Sequence, residues 1–474
     1  MPSRACNSQR LYRQLKNPAI KQLGKDTSST RAVTYAIINS ALAAEVAFHG
    51  RVSGSLKASL TQISFLHDPQ RPRRDCGLSY NAGVKTWDVI IVGGGIIGLS
   101  LAIALRKRGA TVLIVERGEP GREASHAAGG MLVDCSLETP ATLQSLATAS
   151  ARMYPEFAHE LEVESGTKVD LRDQGTVLFL SEHHLGHPAL TSLEVRPNAI
   201  SIADIERLEP VLKFKETDAD RAELQSFRDE GAGEHSVDQI RAFFQSIPGR
   251  ALHLKERSVD PRALTSAALK TAKNRGVDFS SGDPVTSINL SNGQVSGVTT
   301  TKTSFPTVKV VNCAGAWSGQ IPPHAFPTRP VKGQMLCLAM PSRTLLKHVI
   351  RSPEAYLIPR SDGRLLVGAT IEDAGFDKRT DPATIQRLHR AALNLVPQLS
   401  NAKILEDWAG LRPGTPDALP ILGQTATPGY YVATGHFRDG ILLAPITAQV
   451  MADIVTDTKP NYDIAPFSPS RFGS

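Results

Sequence analysis

Six residues, Gly93-Gly94-Gly95-Ile96-Ile97-Gly98, constrain this chain more than any other stretch. They sit between the β-branched run Asp88-Val89-Ile90-Ile91-Val92 and a helical spacing of Ile, Leu and Ala over 96–107. The first pattern predicts a buried parallel strand and the second a helix, so the glycines fall at a strand-to-helix turn. Gly93 permits the tight turn, Gly95 lets backbone approach a pyrophosphate, and Gly98 lets helix and strand pack closely. The helix start, including Ile96 and Ile97, aims roughly half a positive charge at the phosphates. After Gly109-Ala110, the run Thr111-Val112-Leu113-Ile114-Val115-Glu116 predicts the next strand. Glu116 follows Gly98 by 18 residues, near the roughly 20 expected for a carboxylate that binds ribose hydroxyls. Strand, turn, helix, strand and acid together predict dinucleotide binding, without distinguishing FAD from NAD.

Residues 89–105 are apolar enough to resemble a membrane span. Their four glycines would cost an isolated helix roughly 1 kcal/mol each, whereas each has a place in a nucleotide turn, so no membrane span is expected. Net charge is +7, yet residues 1–86 hold 13 Lys and Arg against 4 Asp and Glu, leaving 40 basic and 42 acidic residues in the rest. The body is near neutral, which removes the case for nucleic-acid binding. Residues 1–85 are expected to be a basic, unstructured leader, with an organelle transit peptide, a loose tail or a misassigned start all open. Five widely spaced cysteines without a CxxC predict no disulfide framework and no metal site, and fit a reducing, cytoplasmic setting.

Further along, Asp260-Pro261 predicts a capped helix reaching about residue 273. Asn292-Gly293 predicts a hairpin between Asp283-Pro284-Val285-Thr286-Ser287-Ile288 and Gln294-Val295-Ser296-Gly297-Val298. The run from Val308 through Val310-Val311-Asn312-Cys313-Ala314-Gly315 predicts a return to the nucleotide sheet. Alternating stretches such as Thr176-Val177-Leu178-Phe179-Leu180 and Arg364-Leu365-Leu366-Val367-Gly368-Ala369-Thr370 predict antiparallel strands. The expected organisation is a discontinuous cofactor domain (86–165, 258–325 and 408–474) interleaved with a substrate domain (166–257 and 326–407). A pocket belongs at their interface.

The segment Gly121-Arg122-Glu123-Ala124-Ser125-His126-Ala127-Ala128-Gly129-Gly130-Met131-Leu132 resembles the stretch that passes the flavin ring in glutathione-reductase-type flavoproteins. Near the far end, Asp407-Trp408-Ala409-Gly410-Leu411-Arg412-Pro413-Gly414-Thr415-Pro416-Asp417 and Gly435-His436-Phe437-Arg438-Asp439-Gly440-Ile441 closely resemble glycine oxidase of thiamine biosynthesis, within the D-amino acid oxidase group. Arg329-Pro330-Val331-Lys332-Gly333-Gln334-Met335 and Tyr356-Leu357-Ile358-Pro359-Arg360 add to it. The resemblance covers about 87–474. It departs from the family pattern in the leader and in a longer, charged stretch at about 212–249.

The resemblance implies an α/β fold with a glutathione-reductase-type FAD-binding Rossmann domain and an antiparallel-sheet substrate domain. It implies non-covalent FAD, held by Arg117, Arg122, Ala124, Ser125, Gly130, Met131, Val285, Ala314, Gly315, Trp317, Gly435, His436, Arg438, Asp439, Gly440 and Ile441 besides the nucleotide-turn residues and Glu116. Arg412 would grip a substrate carboxylate, with Tyr356 and Arg438 beside it; a surface ion pair for each arginine and a core role for the tyrosine are the alternatives. A helix beginning near Gly440-Ile441 would face the ring edge that becomes anionic on reduction. The implied reaction is oxidative deamination of glycine, or of sarcosine or a small D-amino acid, by hydride transfer from Cα to flavin N5, with no protein acid or base. Oxygen would be reduced to hydrogen peroxide, and the imine would yield glyoxylate and ammonia or feed thiazole assembly. A sarcosine or D-amino acid oxidase or dehydrogenase, a flavin-binding partner without turnover, a thiazole-assembly partner and self-association stay open.

Overall fold

The computed structural model describes residues 85–180, 199–212 and 251–473. Of the expected leader (1–85), residues 1–84, and of the charged stretch (about 212–249), residues 213–249, lie outside them. The nucleotide strands form a six-stranded sheet in the order Ile421–Gln424, Tyr430–Thr434, Val310–Asn312, Val89–Val92, Val112–Glu116, Asp278–Ser281. All pairings are parallel except that of Ile421–Gln424 with Tyr430–Thr434. Every residue of Val89–Val92 and Val112–Glu116 is buried, as a parallel sheet covered on both faces requires. Val89, Ile91, Val112 and Ile114 share one core with the helices Ile96–Lys107, Ala141–Ser165, Pro261–Asn274 and Ala444–Val455. Ile90, Val92, Leu113 and Val115 pack on the opposite side with Ile288, Val295 and Val298 of the hairpin. The twofold alternation of a strand thus sorts neighbouring residues into separate layers.

Local chemistry sets the boundaries of these elements. The Asp260 carboxylate accepts from the Arg262 and Ala263 amides, and Pro261 opens the helix behind it. Asn292 and Gly293 both take positive φ, 51° and 76°, as a two-residue hairpin turn demands.

The second sheet has eight strands, in the order Ile404–Gly414, Arg329–Ala339, Arg364–Gly368, Tyr356–Pro359, Val349–Arg351, Thr176–Phe179, Ala251–Leu254, Ala199–Ile200. It is antiparallel apart from one parallel pairing, Val349–Arg351 with Thr176–Phe179. The helix Pro382–Leu395 covers one face through Ile385, Leu388 and Ala392. Met335, Cys337, Ile358 and Leu366 line the other, with Met131, Tyr356 and Trp408 packed against them. The strand Ile404–Gly414 pairs along its length with Arg329–Ala339, from Arg329 opposite Gly414 to Leu338 opposite Ile404. An expected boundary at 408 therefore cuts a continuous strand, and Arg412 is carried by the eight-stranded sheet. The partner that claims this strand lies some 75 residues earlier, beyond the reach of any local pattern. No helix among the described residues is long and apolar enough to cross a membrane.

Candidate active site

At the nucleotide turn the glycine pattern has a steric basis. A Cβ on Gly93 would lie 2.5 Å from the Cys313 carbonyl oxygen, and one on Gly98 would lie 2.1 Å from that of Gly93. Neither position admits a side chain without moving backbone. Glu116 accepts from the Gly94 amide at 2.7 Å and from the Gly118 amide at 2.9 Å, which fixes the carboxylate at the end of its strand. Gly95 offers the helix no side-chain cap. Instead the Ser125 hydroxyl, from the following segment, accepts from the Ile96 amide at 2.9 Å.

That following segment forms one helical turn, Ala124–Ala127, and then a short strand, Met131–Leu132. Its small residues serve a close approach to the eight-stranded sheet. The Trp408 indole donates to the Ala127 carbonyl at 3.1 Å, and a Cβ on Gly410 would lie 2.3 Å from that of Ala127. Arg360, fully buried, donates to the Gly129 carbonyl; burial lowers its pKa to about 10, with the carboxylates of Asp260 and Asp170 opposing.

The carboxylate-binding candidates meet where the edge strand passes this segment. The Arg412 guanidinium lies flat on Gly333, where a Cβ would stand 2.3 Å from Nη1 and 2.4 Å from Nη2. Nη1 donates to the Thr370 carbonyl at 3.1 Å. Tyr356 is half-buried beside it; burial pushes its phenol up, against the opposing charges of Arg412 and Arg438. The phenol therefore stays protonated and can donate. Burial also pushes Asp439 up to about 6, with Arg438 opposing and Glu138 adding to the rise. His436 is held near pKa 3 by burial alone and shares a hydrogen bond with the Thr447 hydroxyl at 3.1 Å. This histidine is neutral at any working pH.

One cavity of about 650 Å³ connects these groups, within the size range of cofactor sites. Gly93, Gly95, Ile96, Ile97, Glu116, Arg117, Ala124 and Ser125 line its nucleotide end. Val285, Ala314, Gly315 and Trp317 line the side supplied by the hairpin and third parallel strand. Gly130, Met131, Tyr356, Arg412, His436, Arg438, Asp439, Gly440 and Ile441 complete the wall. The Arg117 guanidinium lies 3.8 Å from the Trp317 ring centroid, a cation–π contact.

Three expected cofactor residues do not line the cavity. Gly98 acts one layer back, through helix–strand packing. Arg122 is exposed and pairs with Glu119 at 3.2 Å, drawn outward by a carboxylate on its own loop. Gly435 packs against Thr415 and Ile421. The last helix begins at Ala444 rather than near Gly440-Ile441, because turns closed by Asp439 N to His436 O and Leu443 N to Asp439 O precede it. The sequence reading missed Glu138, Gly333 and Met335, which also line the cavity. Gly333 and Met335 lay within a motif that carried the resemblance. Glu138, in a loop, had no local signal.

A mainly parallel nucleotide sheet, a second sheet across a shared cavity and a guanidinium on that cavity's wall define a dinucleotide-dependent oxidoreductase. Residues 88–454 match the family model described as FAD dependent oxidoreductase, and the chain belongs to that family. The bifunctional protein ThiO/ThiG of Synechocystis sp. is 34% identical over 394 residues, 82% of this chain and 54% of that protein. The chain thus spans about half the length of these bifunctional relatives. Glycine oxidase of Pseudomonas putida is 31% identical over 80% of this chain and 98% of its own length. The crystal structure of glycine oxidase from Geobacillus kaustophilus matches with a TM-score of 0.71 at 28% identity, covering 81% of this chain and 99% of that one. FAD is the cofactor of this family, and the residues fit it. The turn leaves backbone bare at Gly93 and Gly95, the carboxylate of Glu116 stands one strand away, and Gly315 presents open space where a Cβ would be.

Proposed function

We propose that this chain oxidises glycine, and small amines such as sarcosine or small D-amino acids, with oxygen as the electron acceptor. The observation that carries the proposal is the shared wall: Arg412 and Tyr356 open onto the same cavity as the dinucleotide turn. A guanidinium fork pairs with a carboxylate through two charge-assisted bonds, each contributing about 1.5 to 3 kcal/mol. The Tyr356 phenol donates a further bond to the same group, and Arg438 adds a second positive charge. Gripping the carboxylate at two points holds the amino acid in one orientation, which replaces a chance encounter with an intramolecular approach. Neutral His436 adds no competing charge. When bound, FAD supplies a two-electron acceptor at N5 for the Cα hydride.

From glycine the products are hydrogen peroxide and an imine that hydrolyses to glyoxylate and ammonia. The likeness to bifunctional ThiO/ThiG proteins supports a link to thiazole assembly, with a partner that consumes the imine. Peroxide release from the FAD-loaded protein over glycine, sarcosine, D-alanine and D-proline tests the reading. Turnover of glycine and sarcosine is expected; a flavin-loaded protein that releases no peroxide with any of the four would overturn it.

A further inference from the structure

Besides the arginines, the cavity carries a carboxylate that the reaction described above does not use. Glu138 lines the wall just before the long helix Ala141–Ser165. It pairs with Nη1 of Arg351, a residue only 5% exposed whose Nη2 meets Glu256 Oε2 at 2.8 Å. Two carboxylates thus clamp one buried guanidinium, and this fixes where Glu138 can be.

The sheet register places the clamp. Arg351 is the direct antiparallel partner of Tyr356, so the two side chains leave the same face with Cβ atoms about 5 Å apart. Glu138 therefore stands on the Tyr356 side of the substrate end. It is also near enough to Asp439 for its charge to act on that carboxyl. The substrate end has guanidinium groups at Arg412 and Arg438 and carboxylates at Glu138 and Asp439, all lining one cavity. Charges of both signs lining one cavity match a zwitterion. Arginine alone would hold any small carboxylate equally well.

We propose that Glu138, held in place by Arg351 and Glu256, is a specificity-determining residue that accepts hydrogen bonds from the amino group of the substrate. It thereby selects small zwitterions over simple carboxylates. The inference rests on the amino-acid oxidase reading above and adds to it the group that recognises the nitrogen. Removing the Arg351 clamp would loosen the same contact without touching the substrate, so Arg351 and Glu256 are positioning residues.

The test compares glycine with acetate, its analogue without an amino group, on the FAD-loaded enzyme. In Glu138→Gln the Michaelis constant for glycine is expected to rise about tenfold, the loss of one charge-assisted bond. Acetate inhibition is expected to stay within about twofold or to tighten, since only a carboxylate is recognised there. A merely structural Glu138 would weaken both ligands together, and that result, or an unchanged glycine constant, would overturn the proposal. If Glu138→Gln does not retain FAD, the same ratio is read in Glu138→Asp, which keeps the charge but shortens its reach. A glycine-to-acetate ratio within twofold of native then overturns the proposal. Failure of the native enzyme to turn over glycine would be seen before any variant is made, and would sink the functional reading instead.

Discussion

Single side chains carry the chemistry here, and two of them give separable predictions. Arg412 touches the cavity and the Thr370 carbonyl but no part of the nucleotide turn. Arg412→Ala is therefore expected to raise the apparent Michaelis constant for glycine about a hundredfold, two charge-assisted bonds' worth, while flavin content stays native. Steady-state kinetics beside the flavin absorbance of the purified variant checks both halves. His436 affects stability. The unfolded chain takes up its proton near the ordinary value of 6.5 and the folded chain only near 3, so the fold loses stability as pH falls through that window and nothing above it. Glu256 and Asp439, raised by burial to about 7 and 6, act with the opposite sign. Comparing melting temperatures of the native protein and His436→Asn between pH 7 and 4 isolates the histidine. The variant should gain on the native protein by up to about 1.4 kcal/mol per pH unit as acid is added.

At the scale of elements, the site depends on how closely two strands and one helix approach their neighbours. Gly333 gives the Arg412 guanidinium its seat, so Gly333→Ala should displace the guanidinium. We expect about a tenfold rise in the glycine Michaelis constant, with melting temperature and flavin content nearly native. Gly98→Ala acts differently. Its Cβ would press on the Gly93 backbone, so it should cost about 1 to 3 kcal/mol of stability and weaken FAD retention, read by thermal melting with and without added FAD. Gly98 was legible because the nucleotide turn is a local device, its strand, glycines, helix and acid falling within 30 residues. The Asn292-Gly293 hairpin and the Asp260 cap were legible for the same reason. The Ser125 cap of a helix start 29 residues away was not visible in the sequence. Nor were the pairing that draws Arg412's strand into the eight-stranded sheet or the clamp joining Glu138 to Arg351 across 213 residues. Long-range contacts set these, and local periodicity carries no trace of them.

Over the whole molecule, every wall of the cavity comes from residues between Val92 and Ile441, inside the span matched by the family model. Removing residues 1–84 should leave flavin retention and peroxide release unchanged within about twofold, an effect below roughly 0.5 kcal/mol; a colourless truncated protein would show that the leader supports the fold. Two sheets packed across a shared cavity are what bring the nucleotide turn and the Arg412 guanidinium to one cavity. Anaerobic addition of glycine to the purified, FAD-loaded protein, followed by flavin absorbance, tests that arrangement most directly. The yellow colour is expected to be lost at saturating glycine and to return when air is admitted. Flavin that stays oxidised in excess glycine, or a protein that will not take up FAD, would contradict that arrangement.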